Sequence, residues 1–165
     1  MTVATGALVA VASFCAMEGV SYAAHRWLMH GPGMAWHRSH HLPPRGRFER
    51  NDRFPLCFSA LGVALFALGT TVDGLRPLLW VAIGVTAYGA AYLAVHELVI
   101  HRRLPVPVPS TRYLRWLRAS HADHHRTSGE PYGMLLPLRS SGPRTSDGDA
   151  LDRRLVSTRS ARIRL

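Results

Sequence analysis

The chain has 165 residues, a length suited to one domain; all 20 of its basic residues are Arg, and with 10 acidic residues the net charge is +10. Hydrophobic residues make up 47% of it and gather in long runs, which excludes disorder for most of the chain. Two cysteines, Cys15 and Cys57, both in apolar runs, exclude a disulfide-stapled secreted module and are read as inert buried thiols.

Three apolar stretches organise the sequence. Thr2 to Ala24 carries one charge, Glu18, while Phe54–Val72 and Pro77–Val95 have 19 residues each and none. A bilayer core of about 30 Å needs roughly 20 apolar helical residues, so each stretch is long enough to cross. Gly and Ala are frequent in all three, which suits close helix approach in lipid. Met1–Ala24 lacks the basic start of a cleaved signal peptide and runs directly into the first histidines. The loop Asp73–Arg76 holds one Arg, and the other 19 follow span one or span three. The positive-inside rule therefore predicts an inner-membrane protein with its N-terminus outside and its C-terminus cytoplasmic. The same topology, with anionic lipid headgroups, accounts for the Arg excess, and no recognition motif calls for a nucleic-acid partner.

Arg45–Arg53 reads as a cytoplasmic linker, and Leu104–Pro109, with Pro at alternate positions, as a non-helical loop. Ser110 or Thr111 caps a new helix in which Arg112, Arg115 and Arg118 oppose Leu114, Leu117 and Trp116, the pattern of a helix lying at a membrane surface. Trp27, Trp36, Trp80 and Trp116 read as interface anchors or packing residues, and Tyr88 and Tyr92 as helix packing. Met134–Leu138 is too short to cross. Residues 139–165 read as a disordered Arg-rich tail outside a membrane domain of residues 1–138. The expected fold is an all-α integral membrane protein of about three transmembrane helices with a cytoplasmic histidine-rich helical cap.

The ten histidines carry the functional signal. His25 and His30 form H-x4-H; His37, His40 and His41 form H-x2-H-H; His96 and His101 repeat the first pattern, and His121, His124 and His125 the second. No histidine lies outside these four boxes. His25 follows span one and His96 follows span three, so all ten rings can meet at one membrane face. Within H-x2-H-H the three rings share one helix face. In H-x4-H they stand about 140° apart on a regular helix. The pairs then either serve two different ions or lie on a distorted helix, and the strain-free option, two ions, is the expectation.

Imidazole suits Fe, Cu, Zn and Ni, and ten ligands exceed what one ion can use. Two ions with about five imidazoles each account for the count. Carboxylates that could bind the distal ring N–H of a ligand are Glu18, Glu49, Asp52, Glu97 and Asp123. Glu18 stands out because a carboxylate inside a span is costly. A di-zinc hydrolase usually recruits carboxylate ligands as well. A metal transporter or a bis-His haem electron carrier needs histidines inside the spans, and no span interior holds one. Oxygen activation by a redox metal, on a substrate taken from the bilayer, fits best.

These residues resemble the membrane fatty acid hydroxylase and desaturase-like di-iron enzymes, and within them the bacterial β-carotene hydroxylases. The matching strings are Met17-Glu18, His25-x4-His30-Gly31, Trp36-His37-Arg-Ser-His40-His41, Phe48-Glu49-Arg-Asn51-Asp52, Thr86-Ala87-Tyr88-Gly89 and His121-Ala-Asp-His124-His125. The likeness covers roughly residues 14 to 138. It implies two iron ions held by all ten histidines and O2-dependent hydroxylation at carbon 3 of the β-ionone ring of a carotenoid. It also implies electrons from a ferredoxin-like donor; by its charge the Arg112–Arg118 stripe suits either an acidic donor of that kind or lipid headgroups. Fatty acid or sterol hydroxylation, desaturation, or carotenoid ketolation on the same site are the alternatives. Glu97 stands where the family more often has Asp, and Tyr132-Gly133-Met134 where an aromatic-Gly-aromatic string is usual.

Overall fold

A computed structural model describes residues 1–43, 46 and 48–137 of the chain. The expected tail at 139–165 lies outside the described residues. Among these the fold is all helical, without strands: α1 (Val3–Ala23), α2 (Met34–His37), α3 (Arg53–Thr71), α4 (Pro77–Tyr92) and α5 (Arg112–Thr127). Three helical stretches, Val3–Met29, Arg50–Thr71 and Pro77–Ile100, are long and apolar enough to cross a membrane. Each covers the span expected at that place to within one residue.

Local sequence explains the helix ends. Thr2 caps α1 by accepting from the Thr5 amide at 3.2 Å, Pro77 opens α4, and Thr111 caps α5 by accepting from the Leu114 amide at 3.2 Å. α4 packs against both α1 and α3. Small residues make this approach possible. A Cβ at Gly84 would collide with the Ala10 carbonyl of α1, and one at Gly69 would lie 2.8 Å from the Leu79 amide.

The bundle has little interior of its own. Val11 and Val20 of α1, Leu56, Val63 and Leu68 of α3, and Ile83 of α4 all face outward. Such a continuous apolar surface is suited to hydrocarbon. Cys15 and Cys57, expected to be buried, lie on this outward surface, because three helices side by side leave most apolar positions facing lipid.

At one end of the bundle α1 and α4 do not stop but widen. Ala24–Met29 and Leu93–Ile100 are π-helical continuations. The His30 amide donates to the His25 carbonyl at 3.0 Å, and the His101 amide to the His96 carbonyl at 2.9 Å. Each i to i+5 bond thus joins the two residues of an H-x4-H box. Beyond them α2, a short 3-10 turn (Arg50–Asp52) and α5 close over the same end.

Candidate metal centre

The ten imidazoles converge in two neighbouring groups. Ring nitrogens of His25, His30, His37, His41 and His124 lie within 4.8 Å of one another, and so do those of His40, His96, His101 and His121. His125 adjoins the second group, its Nε2 2.9 Å from that of His121, with its ring stacked on His41 at 4.4 Å.

The π-turns produce this convergence. Residues five apart return to one side of a wider helix, so each H-x4-H box points both rings into one group. The expectation of a different ion for each ring of a pair, on a regular helix, is therefore replaced by the distorted alternative. The H-x2-H-H boxes are also split rather than aligned on one group. His37 and His41 join the first group while His40 crosses to the second. His121 and His125 stay with the second while His124 crosses to the first. The reason is local: α2 ends at His37, and the chain turns through residues 38–42. In α5, Leu117, Ser120, His121 and His124 form a buried stripe at helical spacing.

Hydrogen bonds fix the ring tautomers. Nδ1 of His25 faces the Tyr132 carbonyl at 2.9 Å, that of His37 the Asn51 Oδ1 at 2.7 Å, and that of His124 the Gly129 carbonyl at 2.6 Å. Nδ1 of His40 faces Glu49 at 3.3 Å and that of His96 faces Glu97 at 2.6 Å. These oxygens only accept, so each Nδ1 carries the proton and each Nε2 is left with a bare lone pair. The Nε2 atoms of His25 and His37 nevertheless face each other at 3.2 Å with no proton to share. Nε2 of His40 is buried without any hydrogen-bond partner. A cation satisfies both features.

The spacing agrees. Six Nε2···Nε2 contacts fall between 2.9 and 3.2 Å. Two donors at right angles about an ion, with metal–nitrogen bonds of roughly 2.1 Å, stand about 3.0 Å apart. Burial, reinforced by neighbouring imidazoles, pushes His40, His101 and His121 well below the usual imidazole range. Burial likewise brings His30, His37 and His124 down to about 4. The donors are neutral at pH 7, the form that binds metal. The residues present therefore fit a pair of imidazole-bound cations.

Of the five carboxylates proposed to support the rings, only Glu49 and Glu97 touch one. Asp52 instead pairs with Arg103 at 2.8 Å, and Asp123 pairs with Arg126 beside it in α5. Glu18 reaches the other way: it accepts from the Tyr88 hydroxyl at 2.7 Å and from the amides of Met134, Leu135 and Leu136 at 2.8 to 3.1 Å. It fastens the segment after α5 to α1, and Glu130 does the same through Arg26 and Tyr22, both at 2.8 Å. That segment carries the Tyr132 carbonyl to His25.

Arg103, Asn51 and the two carbonyls were not singled out from sequence. Asn51 had a signal, since it lies in the Phe-Glu-x-Asn-Asp string. Arg103 bridges Glu97 at 2.7 Å, Asp52 at 2.8 Å and Glu49 at 3.1 Å. Burial opposes its charge, but the three carboxylates outweigh this and hold the guanidinium above its ordinary range.

An apolar groove of about 450 Å³ lies beside the first group, lined by Leu28, Trp36, Phe54, Cys57, Phe58 and Leu61 among others. Phe54 forms part of its wall, and its ring lies 6.4 Å from that of His37. No histidine lines the groove, which follows α2 and the start of α3; Phe54 is the wall residue that joins it to the first group.

A family model described as fatty acid hydroxylase matches residues 10–139. A beta-carotene hydroxylase of Pseudescherichia vulneris is 42% identical over 74% of this chain and 69% of its own length. One of Pantoea ananas is 41% identical, over 75% of this chain and 70% of its own. The chloroplastic beta-carotene 3-hydroxylase 1 of Arabidopsis thaliana is 39% identical over 68% of this chain and 38% of its own length. No solved structure matches.

Proposed function

The chain belongs to the fatty acid hydroxylase family, and from that premise we propose that it is a β-carotene hydroxylase, acting at carbon 3 of the β-ionone ring to give cryptoxanthin and zeaxanthin. The observation that carries this reading is the pair of converging sets of bare imidazole nitrogens beside an apolar groove at the end of three spans.

His25, His30, His37, His41 and His124 would hold one ion; His40, His96, His101, His121 and the adjoining His125 would hold the other. When bound, two iron ions supply O2 activation, one oxygen atom entering the substrate and the other leaving as water, with two electrons from a donor of the ferredoxin kind. The protein supplies position and environment. Tyr132, Asn51, Gly129, Glu49 and Glu97 aim the rings by holding their Nδ1–H groups. The groove admits a lipid-soluble substrate sideways, and its apolar lining excludes water next to His37. The charge distribution supports a cytoplasmic centre in the inner membrane, with the N-terminus outside.

Expression in a bacterial host that accumulates β-carotene is expected to yield cryptoxanthin and zeaxanthin on chromatography. Unchanged β-carotene, with the protein present in the membrane, would overturn the substrate assignment; a hydroxylated fatty acid or sterol, or a ketocarotenoid, would redirect it. Leu61 lies seven residues beyond Phe54 on the groove. Leu61→Trp fills that space and is expected to lower turnover about tenfold, an effect of pocket shape, with iron content unchanged. A wild-type rate would separate the groove from the substrate path.

A further inference from the structure

The same ring atom meets different chemistry in the two groups. In the first, His25, His37 and His124 each give Nδ1–H to an uncharged oxygen: the Tyr132 carbonyl, the Asn51 amide and the Gly129 carbonyl. In the second, His40 and His96 give theirs to the carboxylates of Glu49 and Glu97. A carboxylate draws the proton toward itself and leaves more electron density on Nε2 of the same ring than a neutral carbonyl does. Its charge also attracts a cation held on that ring, and away from bulk water this attraction is weakly screened. The carboxylate nearest the first group in sequence, Asp123, is paired with Arg126 on its own helix.

We propose that the two metal positions are unequal: the position formed by His40, His96, His101 and His121, with the adjoining His125, holds a divalent cation more tightly than the one formed by His25, His30, His37, His41 and His124, and Arg103 is the positioning residue behind the difference. Arg103 binds Glu49, Asp52 and Glu97 together, joining the turn before α3 to the π-helical end of α4. Without its charge the carboxylates would repel one another and turn away from the rings they hold. One Arg against three carboxylates still leaves the set net negative. The first group has no such set among the described residues. This inference rests on reading the histidines as metal ligands and not on the identity of the substrate.

The test uses the full-length, metal-free chain in lipid nanodiscs, titrated with Co²⁺ and followed by its visible absorption. Two binding steps at least about tenfold apart are expected, and a chelator should strip one ion well before the other. Glu97→Gln keeps an acceptor for His96 but removes the charge. It is expected to weaken the tighter step by about 10- to 100-fold and to leave the weaker step in place. Glu49→Gln, on a different element, should act on the same step, whereas Asn51→Ala should weaken only the other. Arg103→Gln should shift the absorption and affinity of the tighter step, with Arg103→Lys recovering part of both. Equal steps in the wild type, or a Glu97→Gln effect spread evenly over both, would overturn the inequality while leaving two metal positions standing. A wild-type chain that binds no Co²⁺ would overturn the metal reading along with it.

Discussion

His37→Ala is expected to leave no measurable hydroxylated product and to lower the bound metal, read by elemental analysis of the purified protein. His37 is the hub of the first group. Its Nε2 lies 3.2 Å from those of His25 and His30 and 3.1 Å from that of His41, while Asn51 holds its Nδ1. Losing a supporting partner of a ligand typically costs 10- to 100-fold in affinity or activity, so losing the ligand at the hub should cost more, on the order of 100-fold or beyond. Alanine also opens a gap behind Phe54, where water can enter from the cluster side. Asn51→Ala, which keeps the ring and frees its orientation, should fall between wild type and His37→Ala. Full activity and full metal content in His37→Ala would remove this ring from the ligand set.

The second large effect is expected at a residue that touches no imidazole. Glu18→Ala should destabilise the protein by several kcal/mol, because each buried donor left unpaired costs about 1–3 kcal/mol. The donors stranded would be the Tyr88 hydroxyl and the amides of Met134 and Leu135, while the amide of the exposed Leu136 would turn to water. Activity should fall with stability, since the freed segment carries the carbonyl that orients His25. Glu18→Gln keeps an oxygen for the three amides, and its NH2 can donate to the Tyr88 hydroxyl, so a much smaller loss is expected. Thermal unfolding in detergent measures the difference. Equal stability of wild type and Glu18→Ala would show that the segment is held by other means.

The spans and the gathering of the histidines at one membrane face were legible because each rests on a long-range pattern. Runs of apolar residues report lipid, and the repeated boxes report convergence. What stayed hidden depends on local backbone geometry. A phase of 140° between His25 and His30 follows from a regular helix, and only the i to i+5 bond between them changes it. The repetition of that spacing at His96 and His101 was the available hint. The crossing of His40 and His124 was hidden because the stop of α2 at His37 has no strong breaker residue to announce it. Glu18 was expected beside the rings, but besides the Tyr88 hydroxyl its partners are backbone amides more than a hundred residues away, which leave no side-chain signature. The same holds for the carbonyls of Gly129 and Tyr132. Arg103 was one basic residue among many, and only folding reveals which three carboxylates surround it.

The exchange of His40 and His124 between the groups has a consequence for biogenesis. When the ribosome has finished the first two histidine boxes, the first site still lacks His124 and the second has only His40. Neither is complete until the last box has been synthesised and all three spans are inserted. Completion of either histidine group is thereby deferred to a late step of synthesis, and a chain stalled at the hairpin after α3 carries only partial groups.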